Sequence, residues 1–257
     1  MLLGERRSEV PIEIIDFKKF LKESANSIGI HVASEPLNMF EVYKNVLKEW
    51  NTSRVNLTSI EDDEGIVFKH FIDSLVFSKA FKISDKEFTL LDLGSGAGFP
   101  GVPIKIAFRN IQLTLVDSQK KRALFLAVLL PRLGLSNVNV FNSRGEELAR
   151  DVRFREQFDF VTMREFGKIP LNIEIGLPFV KVGGYLALWK GEKDLAEFDK
   201  YKELISELGA SVEEFYPYSL NDSVKRYIVK VKKGWVTPKK YPRSFATITR
   251  SIKKNAR

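Results

Sequence analysis

The run Leu90-Leu91-Asp92-Leu93-Gly94-Ser95-Gly96-Ala97-Gly98-Phe99-Pro100-Gly101 constrains this chain more than any other stretch of it. A short apolar segment ends in an acid and then meets three glycines at alternate positions. That pattern reads as a buried strand leaving through a sharp turn beneath a bound small molecule. Glycine reaches positive φ at little cost and lets the backbone approach a ligand with no Cβ between them. A helix opening at Gly101 leaves its first N–H groups facing an anionic group of that ligand.

The glycines alone admit two ligands. Gly96, Gly98 and Gly101 spell G-x-G-x-x-G, the pyrophosphate-binding pattern of dinucleotide domains. Gly94, Gly96 and Gly98 spell the alternating pattern of S-adenosylmethionine (SAM) enzymes, in which the anion is a carboxylate. A second strand, Gln112-Leu113-Thr114-Leu115-Val116-Asp117, ends in a carboxylate about 20 residues beyond the glycines. Asp117 there can accept both hydroxyls of a ribose, or simply cap the helix that follows Asp117-Ser118.

From Phe88 onward strands and helices alternate. Strands are predicted at 88–93, 112–117, 138–142, 158–163, 184–190, 210–216 and 226–232, with helices near 101–108, 119–133, 169–179 and 194–208. Alternation implies a parallel sheet with helices on both faces. The last two strands are joined by a connection too short for a crossover helix, so the final strand is expected to run antiparallel. The fold class expected is therefore α/β: a Rossmann-like, doubly wound, mainly parallel seven-stranded sheet of the class I SAM-dependent methyltransferase type. Ahead of it lie three apolar-striped helices. One spans about 12 to 28 with Ile14, Ile15, Phe17, Phe20 and Leu21, and a second starts at Ser34 with Pro36 in its first turn. A third spans Gly65 to about Phe81. These divide the chain into a helical cap (1–84), a SAM-binding domain (85–233) and a basic extension (234–257).

The extension stands out by charge. From Ser223 to Arg257 there are twelve Lys/Arg and no Asp/Glu, so residues 1–222 are net −4 in a chain of net +8. Such a segment, with Trp235 and Tyr241 interleaved, can neutralise phosphates and stack on bases, or stand solvated with no partner. Composition narrows the field elsewhere. Zero cysteines exclude disulfides, thiolate metal sites and thiolate nucleophiles and fit a reducing compartment, and two histidines argue against a metal cluster. The longest apolar run, Leu124 to Pro131, is too short to span a bilayer, and the N-terminus carries no signal-type stretch. A soluble, cytoplasmic protein without a metal and without a membrane partner is expected.

The strand ends also limit the chemistry. After the fourth strand the chain reads Thr162-Met163-Arg164-Glu165-Phe166, not the Asn/Asp-Pro-Pro-aromatic loop used to methylate exocyclic amines. Carbon-5 pyrimidine methylation needs a cysteine. A hydride-transfer enzyme would show a proton relay near its nicotinamide, and none is recognisable. What remains is transfer to an acceptor already nucleophilic at neutral pH, such as a ring nitrogen, for which alignment and desolvation suffice. An NAD(P) oxidoreductase and a non-catalytic RNA-binding protein on the same fold stay open as alternatives.

These strand ends closely resemble the bacterial GidB/RsmG family, which methylates guanine N7 in 16S ribosomal RNA. The matching pieces are Glu49-Trp50-Asn51, Asn56-Leu57-Thr58 and His70-Phe71-Ile72-Asp73-Ser74-Leu75. They continue with Asp92 through Pro103, Asp117-Ser118, Lys120-Lys121-Arg122, Ser143-Arg144-Gly145-Glu146-Glu147, Arg164 and Leu188-Trp189-Lys190-Gly191. The resemblance implies a SAM pocket lined by Gly94, Gly96 and Phe99, with Asp117 on the ribose and Gly145 and Glu146 at the adenine edge. It implies Arg164 near the methionine end, and Arg144 and Lys190 facing 16S rRNA or the small ribosomal subunit. Glu165 departs from the family pattern, where a small residue is expected. His70 and Asp73, three apart on one helix, are expected to share a buried hydrogen bond, and Trp50 to anchor the helical cap to the sheet.

Overall fold

Period-two apolar strands and three-to-four-spaced helices sort this chain onto the two faces of one sheet. The computed structural model describes residues 16–53, 56–83, 87–221 and 224–255; Ile14, Ile15 and Ser223 lie outside them. The strands are β1 (Thr89–Leu93), β2 (Gln112–Asp117), β3 (Val138–Asn142), β4 (Phe158–Arg164), β5 (Val180–Gly191), β6 (Ala210–Ser219) and β7 (Lys225–Lys233). They form one seven-stranded sheet in the order β3-β2-β1-β4-β5-β7-β6. Pairings among β1 to β5 are parallel, and β7 runs antiparallel between β5 and β6. The chain moves outward from β1 to β3 and then returns to β4 on the other side of β1. The strand order therefore reverses between β1 and β4, where a doubly wound sheet opens a crevice at its C-terminal edge.

Alternation along the strands divides the core. Leu90, Leu113 and Leu115 join one apolar cluster, with Phe40, Tyr43, Trp50 and Phe71 from the leading helices and Phe125 and Leu129 beside them. Leu91, Leu93 and Val116 join the other, with Ile173, Phe198, Tyr241 and Ile248. The first face is covered by α1 (Phe17–Ser27), α2 (Ser34–Ser53) and a continuous helical stretch from Asp63 to Phe81. α5 (Gly101–Ala107) and α6 (Lys120–Arg132) complete that cover. Within the stretch, α3 (Asp63–Gly65) and α4 (Asp73–Phe81) flank a π-helical segment, Ile66–Ile72, that carries His70. Trp50 packs edge-on against Phe125 with centroids 5.6 Å apart, tying α2 to α6.

The second face carries α8 (Ile169–Gly176), α9 (Glu192–Lys200), α10 (Lys202–Glu207) and α11 (Phe245–Asn255); α7 (Gly145–Leu148) is a single turn after β3. The predicted helix 194–208 is thus two helices broken at Tyr201, and α7 and α11 are additional elements. α11 is amphipathic, with Ile248 fully buried against the second core. Among the described residues no helix is long and apolar enough to cross a membrane.

Candidate functional site

The turn after β1 is built by packing as much as by conformation. Gly94, Gly96 and Gly98 have φ of 75°, 56° and 98°. A Cβ on Gly94 would lie 2.4 Å from the Phe166 ring, so this glycine lets the β4 loop close over the turn. Gly101 is glycine for another reason: a Cβ would lie 2.8 Å from the Asp92 Cβ and 2.9 Å from Leu115. The third glycine of the apparent pyrophosphate pattern therefore serves strand–helix packing. Asp92, 1% exposed, accepts from the Gly101 N–H at 3.1 Å and the Thr162 hydroxyl at 2.9 Å, across the β1–β4 register. Burial raises its pKa to about 6, against the lowering effect of those donors.

Asp117 stands at the end of β2 with its side chain nearly buried. One oxygen accepts from the Gly96 N–H at 2.9 Å and the other from Gln119 N–H at 2.7 Å, with the Arg122 guanidinium 3.5 Å away. The carboxylate holds the glycine turn and the α6 entry together, and each oxygen retains acceptor capacity. Gln119, not Asp117, is the α6 N-cap position.

Three neighbouring hollows follow the C-terminal strand ends. The first, about 200 Å³, brings together Gly94, Asp117, Arg144, Gly145 and Glu146, with Arg122, Phe166 and Phe245. The second, about 250 Å³, joins Gly94, Gly96, Phe99 and Arg164 with Thr58, His70 and Arg122. Gly94, Arg122 and Glu165 line both, so the two are contiguous and together reach the scale of a small-molecule site. The third, about 630 Å³, is reached past Arg164 and holds Lys69, Asp73, Trp189, Lys190, Tyr218, Lys225 and Arg226. Lys190 donates to the Gly167 carbonyl at 3.2 Å, and burial lowers its pKa. Arg144 sits at the rim of the first hollow, its Nε 2.6 Å from Glu146 and its guanidinium 4.9 Å from the centre of the Phe245 ring.

The wall between the second hollow and the helical cap is a polar and aromatic network. Phe99 stacks with Tyr43, whose hydroxyl donates to the Ala97 carbonyl, and with His70. Arg164 donates to Asp73 at 2.8 Å and to His70 Nδ1 at 3.1 Å. The expected direct His70–Asp73 bond is thus replaced by a bridge through Arg164, because the π-helical segment and β4 bring a five-donor guanidinium between them. Burial first, and Arg164 second, lower the His70 pKa to about 3. The ring is neutral, accepts at Nδ1, and so donates from Nε2 to Thr58 Oγ1 at 2.9 Å. Thr58 is itself fixed by Asn51, which accepts from its N–H and donates to its carbonyl. Asp73 also accepts from Tyr218 at 2.6 Å, and its backbone carbonyl accepts from Trp189 Nε1 at 3.0 Å. Glu165 takes a left-handed φ of 53° with an 86% exposed side chain. That conformation favours glycine over any residue with a Cβ.

Arg122, Phe166 and Phe245 line the nucleoside-sized hollow without having been singled out as site residues. Arg122 was visible only within a matched basic triplet, and Phe245 lies too far along the chain for any local signal. The basic extension is folded onto the domain: Thr237 and Tyr241 are buried, while Trp235 is 56% exposed. Among the described residues no cluster of three or more His, Asp or Glu is arranged for a metal.

Sheet order, the antiparallel β7 and the glycine turn define a class I SAM-dependent methyltransferase fold. A SAM-dependent methyltransferase from Aquifex aeolicus superimposes with a TM-score of 0.51 at 19% identity, covering 68% of this chain and 96% of that one. Residues 36–225 match the family model of GidB, rRNA small subunit methyltransferase G. Ribosomal RNA small subunit methyltransferase G of Acetivibrio thermocellus is 40% identical over 89% of this chain and 93% of its own length. The Dictyoglomus thermophilum protein of the same name is 39% identical over 89% and 94%. The chain belongs to the GidB family.

Proposed function

We propose that this protein transfers a methyl group from SAM to N7 of a guanine in 16S ribosomal RNA, acting in the cytoplasm on the small ribosomal subunit or its RNA. The observation that carries the reading is Arg164. It borders both the second hollow, against Phe99 and the glycine turn, and the large third hollow with its cationic rim. Donor and acceptor sites would thus meet at one part-buried guanidinium.

The residues present suit SAM. Asp117 would take the ribose hydroxyls on its remaining lone pairs, Gly145 and Glu146 the adenine edge, and Gly94, Gly96 and Phe99 the methionine side, with Arg164 at its end. Bound there, SAM supplies an electrophilic methyl on a sulfonium. Phe99, 8% exposed between Tyr43 and His70, excludes water from that side. Neutral His70 adds no positive charge beside a sulfonium. In the third hollow Trp189 offers an apolar wall, and Lys190, with Arg144 at the neighbouring rim, faces the RNA backbone. Guanine N7 carries an in-plane lone pair and no proton, so positioning and desolvation are sufficient and no general base is called for. The packing role of Gly101 suits either ligand; the family match favours SAM over a dinucleotide and catalysis over passive RNA binding.

The test is methyl transfer from labelled SAM to small subunits lacking the modification, beside calorimetry with SAM and NAD. Label at a single guanine and binding of SAM alone support the reading. NAD binding without SAM binding, or no transfer, overturns it.

A further inference from the structure

The C-terminal arm beyond β7 lies past the last residue of the family match, yet it reaches the nucleoside hollow. It is held on the domain by specific bonds along its length. Arg155 donates to the carbonyls of Thr237 at 2.8 Å and Tyr241 at 2.9 Å, and Arg150 to that of Pro242 at 2.8 Å. The strongest tie is Arg243, whose N–H and Nε both lie 2.8 Å from Glu174 Oε1 and whose Nη2 lies 2.6 Å from Oε2. Glu174 is fully buried on α8, so this fork-to-fork pair is shielded from solvent on its acidic side. Ser244 accepts from the Thr247 N–H at 3.3 Å and opens α11, and Ile248 seats the helix in the core.

The residue between these anchors is Phe245. Its ring is 37% exposed, borders the same hollow as Asp117 and Gly145, and lies under the Arg144 guanidinium that Glu146 holds. An aromatic surface left open at a cavity that also presents a ribose-type carboxylate is a stacking platform for a flat base.

We propose that Phe245 is a binding residue of the nucleoside site, with the C-terminal arm forming one wall and the Arg243–Glu174 pair positioning that wall. This rests on the assignment of the hollow to the adenosine part of SAM. The arm's excess positive charge is thereby partly structural, serving the cofactor site as well as any RNA surface.

The experiment is calorimetric titration of the full-length protein with S-adenosylhomocysteine and with adenosine. Phe245→Ala is expected to weaken both ligands about tenfold or more, as loss of a base–aromatic stack does, and Phe245→Trp to restore affinity. Arg243→Gln should weaken adenosine similarly, and the Phe245→Ala/Arg243→Gln double variant should lose no more than Phe245→Ala alone, since both act through one contact. Binding by the wild type with Phe245→Ala within twofold of it overturns the proposal and leaves the cofactor assignment standing. Failure of the wild type to bind S-adenosylhomocysteine removes both.

Discussion

The imidazole of His70 stacks on the ring of Phe99 with centroids 4.3 Å apart and planes 10° from parallel. One ring comes from the π-helical segment of the cap and the other from the turn after β1, so this contact joins the two halves of the site. The neutral state of His70 matters to it, because a protonated ring would stand beside Arg164 in a buried setting.

That arrangement has a pH signature. His70 titrates near pH 3 folded and near 6.5 unfolded, so only the unfolded chain takes up its proton between those values. Its contribution to stability is present above pH 6.5 and is lost as pH falls, with a slope approaching about 1.4 kcal/mol per pH unit. Asp92, raised to about 6, acts oppositely: the folded state holds its proton from about pH 6 down to 3.8, which adds stability on acidification. The two offset each other between pH 4 and 6. In Asp92→Asn the offset disappears, and stability measured by urea unfolding is expected to fall more steeply over that interval than in the wild type. An unchanged slope would contradict the assignment of these two groups.

Phe99→Ala removes a ring shared by Tyr43 and His70. The cavity is expected to cost about 3–5 kcal/mol in denaturant unfolding, and S-adenosylhomocysteine affinity should fall with it. A loss below about 1 kcal/mol would mean that the stack collapses freely.

Arg164→Met leaves the Asp73 carboxylate buried without its guanidinium partner, with Tyr218 still donating to it. A loss of about 3–5 kcal/mol is expected for breaking such a buried pair. Adding Asp73→Asn should recover part of it, because the stranded charge is removed. A second variant that is merely additive would show that Arg164 and Asp73 are not coupled.

Asp117→Ala frees the Gly96 and Gln119 N–H groups and removes the proposed ribose acceptor. S-adenosylhomocysteine binding is expected to weaken by about 1–3 kcal/mol in calorimetry. Affinity unchanged beside lowered stability would reduce Asp117 to a turn-holding residue.

The sheet was legible because its signal is local. Apolar alternation, acids at strand ends and glycines after β1 all act within a few residues, and the antiparallel β7 followed from the short connection before it. The Arg164 bridge was not legible, since it depends on β4 arriving beside a π-helical segment some ninety residues earlier in the chain. The same holds for the basic arm. Read locally, Lys233 at the end of β7 and Arg243 in the arm are free cations; in the fold they meet Glu156 and Glu174, 77 and 69 residues away. Local charge patterning counts ions but cannot locate their partners, and α11 was hidden within that count.

The central claim is that this site methylates N7 of one guanine in small-subunit RNA. Its most direct test is mass-spectrometric mapping of 16S RNA after small subunits lacking the modification are incubated with the protein and methyl-deuterated SAM. One labelled guanine, with the label on N7, is the expected result. No incorporation, or label on an exocyclic amine, a ribose or another base, would contradict the account.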